Sequence, residues 1–260
     1  MPKRQLTDRR ALITGASSGI GRALAIELAK HGVDLVLVAR RADRLEEVAA
    51  EVAKQNRRAI CVVGDITDPQ TRHRALQAAS ERLGGLDILI NNAGVAAHGR
   101  FAWSDPARMR PLFEVNFFAP VELVREASPL LRDGYQAIVV NIGSILGERA
   151  APHKSEYSAS KFALHGFSEA LRPELHREGI DVLVIAPGPT ESEHFDTLLE
   201  DQGLPWKEPK RMPAEEVARQ IVRAIERGQR KVVIGWPSRF WLLLNRLMPG
   251  LADRIMERYG

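Results

Sequence analysis

Tyr157 and Lys161 stand four residues apart in Ser155-Glu156-Tyr157-Ser158-Ala159-Ser160-Lys161. On a helix that spacing puts both on one face. A phenol beside an ammonium suits proton transfer. Free tyrosine titrates near about 10, too high for a base at neutral pH. A neighbouring positive charge favours the phenolate and lowers that value. A drop of about three units needs roughly 4 kcal/mol of differential interaction, large but attainable in a dry cleft beside a further positive charge. Taken alone, Tyr-x-x-x-Lys also describes an ordinary pair on an amphipathic helix. Ser144 follows an apolar run, and its hydroxyl could donate to a substrate oxygen as charge builds there. It could equally cap a turn. Asn116, in Glu114-Val115-Asn116-Phe117, lies in a helical stretch that asparagine disfavours. Its amide is therefore there for chemistry or for a buried hydrogen bond.

These residues need a frame. Short apolar runs read as strands at Ala11–Thr14, Asp34–Ala39, Ala59–Val63, Ile88–Asn91, Ala137–Ile142, Asp181–Ile185 and Lys231–Ile234. Most lack alternation, as in strands buried on both faces. Helical patterns separate them at Gly19–His31, Ala42–Gln55, Asp68–Leu83, Ala107–Leu131, Ser155–Arg177 and Pro213–Arg227. Pro129 and Pro173 leave two of those helix ends open. Strict alternation predicts a single doubly wound α/β domain over 11–235 with a mostly parallel seven-stranded sheet. Residues 1–10 read as a flexible tail. Residues 188–212 show no strand pattern and carry Pro189, Pro205 and Pro209, which suits a functional loop over a substrate.

The carboxyl ends of such strands gather ligands. The first runs into Thr14-Gly15-Ala16-Ser17-Ser18-Gly19-Ile20-Gly21 and then a helix. Glycines there permit a tight turn and a close phosphate, which the helix N-terminus attracts. A glycine-rich turn without ligand is the bland alternative. The second strand ends in Arg40-Arg41 with no carboxylate. Arg40 suits a 2′-phosphate, so NADP(H) is the expected cofactor; a solvated arginine pair is the alternative. The third ends in Gly64-Asp65-Ile66-Thr67, where Asp65 could accept from an adenine amino group or cap the next helix. The fourth ends in Asn91-Asn92-Ala93-Gly94, a further tight turn.

Composition sets outer bounds. The 260 residues are 45% hydrophobic and 27% charged, an ordinary globular balance. A net charge of +4 is too small for a nucleic-acid binder. Cys61 alone makes neither an intrachain disulfide nor a zinc site. No histidine pair has metal-ligand spacing, so no metal is expected; His153 and His194 are placed beside the cleft without a role. With no targeting or spanning segment read from the sequence, a cytoplasmic protein is expected.

The motifs Thr-Gly-Ala-Ser-Ser-Gly-Ile-Gly, Asn-Asn-Ala-Gly, Asn116, Ser144, Tyr-Ser-Ala-Ser-Lys and Pro187-Gly188 occur in one order over about Ala11 to Ser192. In this the chain resembles the short-chain dehydrogenase/reductase family. The resemblance implies a Rossmann-type fold and hydride transfer between a nicotinamide and a carbonyl or secondary alcohol. It makes Tyr157 the general acid–base, and gives Lys161 the tyrosine's pKa and the nicotinamide ribose. Ser144 would fix the substrate oxygen, and Asn116 would hold a water in a relay through Lys161. The loop at Gly188 would bind the nicotinamide end. The family's threonine five positions after Pro187 is here Ser192, and Thr190 could do the same work. By the same resemblance, the 107–131 and 157–175 helices pair subunits into a homodimer or homotetramer. A cofactor-sensing regulator without turnover, and a different reaction such as epimerisation or dehydration, are the alternatives.

Residues 236–260 form a helical extension in which Trp236, Phe240, Trp241, Leu242, Leu243, Leu244, Leu247 and Met248 mix with arginine. Residues 229–260 hold six basic and two acidic side chains, 6 − 2 = +4, equal to the whole net charge. Packing on the body or another subunit is preferred for this surface over contact with a membrane. A bulky, apolar carbonyl substrate is expected.

Overall fold

The computed structural model describes residues 3–191, 198–204 and 210–258. Its strands are β1 (Arg10–Thr14), β2 (Asp34–Ala39), β3 (Ala59–Val63), β4 (Ile88–Asn91), β5 (Ala96–His98), β6 (Ile138–Ile142), β7 (Asp181–Pro187), β8 (Leu198–Asp201) and β9 (Lys231–Ile234). Its helices are α1 (Gly19–Lys30), α2 (Ala42–Ala53), α3 (Pro69–Ala78), α4 (Met109–Phe113), α5 (Ala119–Arg132), α6 (Ser155–His176), α7 (Ala214–Glu226), α8 (Trp236–Leu247) and α9 (Pro249–Glu257). Seven strands form one sheet in the order β3-β2-β1-β4-β6-β7-β9. Every pairing in it is parallel. The order reverses between β1 and β4, and a crevice opens beyond their carboxyl ends.

Side chains alternate between two cores. Ile13, Leu35 and Leu37 pack with Leu24, Leu28, Val48 and Ile221 of α1, α2 and α7. Leu12, Val36 and Val38 pack with Leu76, Leu123 and Leu131 on the opposite face. All six residues of β2 are buried, which is why its sequence shows no alternation. Truncating Leu28, fully buried in the first core, to alanine is expected to cost about 2–5 kcal/mol in urea unfolding.

Several expected boundaries shift. The 107–131 helix begins as a 3₁₀ turn (Pro106–Arg108), and a π-turn (Glu114–Phe118) lies between α4 and α5. A second π-turn, Ala79–Leu83, closes α3 before Gly84 at φ +80°. Both α5 and α6 run through their prolines. Residues 3–9 are not a flexible tail. Arg4 is buried, donates to the carbonyls of Ile225 (2.9 Å) and Gln136 (2.8 Å), and pairs with Asp181 at 2.6 Å. Leu6 enters the first core. The buried Ile225 carbonyl and the partly buried Gln136 carbonyl need donors, and the arginine supplies them. The 188–212 segment does contain a strand: β8 pairs in parallel with β5. The partners are too short for periodicity, and about a hundred residues separate them, so nothing local announces the pair.

Candidate active site

At the end of β1 the chain turns sharply into α1. Gly15 sits at φ +65°, and a Cβ there would lie 2.8 Å from the Ala93 Cα. A Cβ on Gly21 would meet the Gly15 carbonyl oxygen at 2.3 Å. Gly21 thus packs inside the turn, while Gly15, Ser17, Ser18, Gly19 and Ile20 line the crevice. The β4 turn braces this loop. The amides of Asn92 and Ala93 both donate to the Thr14 Oγ1 at 3.0 Å. The Asn92 side chain donates to the carbonyls of Thr14 (2.9 Å) and Gly15 (3.1 Å). Ser18 makes no side-chain capping bond, so the first amides of α1 are left for a ligand. The crevice has a volume of about 540 Å³ and runs on past Ala93 and Gly94.

At one end stand Arg40, Arg41, Asp65 and Ile66. Arg41 donates to the Ser17 hydroxyl at 3.3 Å, tying the second strand's end to the glycine loop. Arg40 lies 3.8 Å from a carboxylate oxygen of Asp65. Asp65 does not cap α3; its Oδ1 accepts from the amide and hydroxyl of Thr67 at 3.0 and 2.9 Å. The cap is Asp68, which accepts from the Gln70 amide at 3.0 Å.

The other end carries Ser144, Tyr157 and Lys161. Ser144 follows β6, and its hydroxyl accepts from the Leu146 amide at 3.1 Å and shares a hydrogen bond with Tyr157. It is therefore both a turn cap and a cleft residue. Tyr157 and Lys161 lie one turn apart on α6, the ammonium 5.8 Å from the ring centroid. Lys161 is buried and donates to the Ile142 carbonyl at 3.1 Å. Burial pulls its pKa down to about 8. Burial also pushes the Tyr157 phenol above its ordinary value, with the Ser144 hydrogen bond working against that.

Asn116 is fully buried behind this wall, in the π-turn. It accepts from the Val95 amide (2.9 Å) and donates to the Val95 carbonyl (2.9 Å) and the Ser160 hydroxyl (3.1 Å). Both amide hydrogens are used; one lone pair of the oxygen is left. A Cβ on Gly94 would crowd that oxygen at 3.2 Å and touch the Lys161 Nζ at 3.6 Å, so glycine keeps the space between them open. Pro187 ends β7 and Gly188 follows it on the same rim, the Gly188 amide donating to the Ile234 carbonyl at 3.1 Å. Thr190 also lines the cleft and donates to the Gly188 carbonyl at 2.9 Å. Ser192 and His194 lie outside the described residues.

Some neighbours carry no sequence signal. His98, not His153, lines the cleft. No cluster of metal-ligating side chains occurs among the described residues. Glu156, directly before Tyr157, is buried against Arg108 in a two-pronged pair at 3.1 and 2.8 Å. Arg108 also reaches Glu200 of β8 at 2.9 Å. Burial would raise the Glu156 pKa, but the guanidinium holds it below its usual value. Arg108 therefore fastens the small sheet to the start of α6. Arg108→Met would strand a buried carboxylate, and a loss of about 3–5 kcal/mol is expected in chemical denaturation.

A glycine-rich first turn at the switch point of a doubly wound parallel sheet, facing a Ser–Tyr–Lys wall, defines a dinucleotide-binding α/β oxidoreductase. The family model for short chain dehydrogenases matches residues 9–203. The chain belongs to that family. It is 33% identical over 261 residues to an uncharacterized oxidoreductase of Bacillus subtilis, YxnA, covering 98% of this chain and 73% of that protein. A short chain dehydrogenase of Burkholderia cenocepacia, solved with NADP, is 30% identical with a TM-score of 0.78, over 89% of this chain and 98% of that one. A Burkholderia phymatum member solved with NAD shares the fold at a TM-score of 0.86 and 24% identity, over 95% and 96% of the two chains. The chain is thus an oxidoreductase with a nicotinamide dinucleotide site.

Proposed function

We propose that the chain is an NADP(H)-dependent carbonyl reductase of apolar substrates, able to run in reverse on secondary alcohols. The observation that carries this is one continuous crevice with Arg40 and Arg41 at one end and Ser144, Tyr157 and Lys161 at the other. Gly15, Ser17, Ser18, Gly19 and Ile20 would cradle the pyrophosphate. Asp65, Ile66, Ala93 and Gly94 would flank the adenosine half, and Pro187, Gly188 and Thr190 the nicotinamide end. When bound, the cofactor supplies or accepts the hydride at the carbonyl carbon. Ser144 holds the substrate oxygen, and Tyr157 gives it the proton. Lys161 steadies the phenolate that is left. A relay water has the second lone pair of the Asn116 oxygen to bind. Steady NADPH oxidation against ketones, aldehydes, ketosteroids and 3-oxoacyl thioesters tests the reading. Tight NADPH binding with no turnover across such a panel would favour a cofactor-sensing regulator.

The pH dependence has a definite sign. The lysine pKa is lowered to about 8, so its charge is complete below that value and lost as pH rises through it. Reduction, measured as kcat/KM, is expected to fall above about pH 8. Lys161→Met should be slow at every pH and lack that limb. A wild-type profile flat to pH 10 would remove Lys161 from the proposed mechanism.

A homodimer or homotetramer built on α5 and α6 is part of the same proposal. Phe162 of α6 is exposed, as is Phe118 where the π-turn meets α5. Light scattering of wild type and Phe162→Ser checks it, with a smaller mass expected for the variant.

A further inference from the structure

The helix after β9 has an outer face that no other part of the described chain covers. Trp236, Phe240, Leu243 and Leu247 of α8 are 78%, 62%, 53% and 70% exposed. Their spacing of four, three and four residues makes one continuous stripe along the helix. Met248 and Leu251 carry it across the joint into α9. Exposed apolar patches of this kind mark interaction sites. The helix itself is firmly seated: Ser238 is buried beside Gly188, Arg239 donates to the Val233 carbonyl at 2.8 Å, and Asp253 of α9 pairs with Arg149. The stripe is thus presented outward on a fixed element.

The charges around it are mostly of one sign. α8 contains no Asp or Glu, and its two arginines are Arg239 and Arg246. At about 100° per residue they fall on the same flank, roughly 80° from the centre of the stripe. Arg246 is exposed, as are Arg254 and Arg258 on α9. Asp253 is occupied by Arg149, which leaves Glu257 as the other carboxylate of α9. An apolar face with an exposed tryptophan, bordered by arginine, is what a helix lying flat in an anionic lipid surface needs. A second copy of the chain fits less well. A twofold contact would lay stripe on stripe with no carboxylate on α8 to receive either arginine.

We propose that α8 and α9 dock the protein on anionic lipid surfaces, with Trp236, Phe240, Leu243 and Leu247 entering the headgroup layer. Gly188, which touches α8, also lines the crevice. If the proposed carbonyl chemistry holds, docking brings the crevice rim near substrates dissolved in the bilayer. The test reads docking without turnover, so the two readings fail separately. The full chain is floated with phosphatidylcholine vesicles, alone or enriched in phosphatidylglycerol, and tryptophan emission is followed. Binding and a blue shift are expected with the anionic vesicles alone, and both should fade with added salt. Phe240→Ser/Leu247→Ser should bind at least about tenfold more weakly, and Arg246→Gln about fivefold more weakly. Thermal unfolding of both variants should match wild type, since these positions are exposed. No binding of wild type to anionic vesicles at low salt overturns the proposal. So does variant binding equal to wild type. A mass in light scattering that halves in Phe240→Ser/Leu247→Ser would hand the stripe to a second copy instead.

Discussion

Replacing Tyr157 with phenylalanine is expected to lower carbonyl turnover at least about a hundredfold, the usual scale of a general acid. The change removes one oxygen and keeps the ring. That oxygen is the partner of Ser144 and the acid group proposed to face the substrate. Burial favours the protonated phenol here, which suits a proton donor better than a base. Cofactor affinity should change little, because the glycine loop and the arginines stand at the other end of the crevice. Stopped-flow turnover and NADPH fluorescence titration separate the two quantities. A variant that kept most of its turnover would show that the proton comes from elsewhere.

Replacing Arg40 and Arg41 together with alanine should weaken NADPH about thirtyfold and leave NADH within a fewfold. The estimate corresponds to roughly 2 kcal/mol, modest for hydrogen bonds from two charged donors to a phosphate because Arg40 is well exposed. Arg41 is the better placed of the two, since its bond to Ser17 already points it at the loop. Arg40 reaches Asp65 across the crevice edge, and a 2′-phosphate would compete with that carboxylate for it. Isothermal titration with both cofactors checks the result. Equal losses for NADPH and NADH would mean that the pair braces the loop and does not read the phosphate.

Much of this molecule was legible as a string of residues. The strand runs were plain because a parallel sheet covered on both sides needs unbroken apolar segments, and β2 is buried along its whole length. The Thr14–Gly21 turn was legible because backbone closeness at Gly15 and Gly21 leaves glycine as the only residue that fits. Tyr157 and Lys161 were legible because four residues make one helical turn.

Other features were decided in three dimensions. β5 and β8 pair across a long loop, so their existence depends on contacts that no local pattern encodes. The link from Arg108 to Glu156 and Glu200 joins three distant elements, and each partner alone reads as a surface charge. Arg4 reads as part of a loose basic tail in the sequence, and the carbonyls of Gln136 and Ile225 give it a place only in the fold. The burial of Lys161 also escaped the sequence. Spacing places the ammonium one turn from the phenol, whereas the exclusion of water that pulls the lysine down to about 8 is set by the folded cleft. The α8 stripe shows the same division. Its residues and spacing are written in the chain, whereas the packing of Ser238 and Arg239 decides which face turns inward and leaves the apolar one outside.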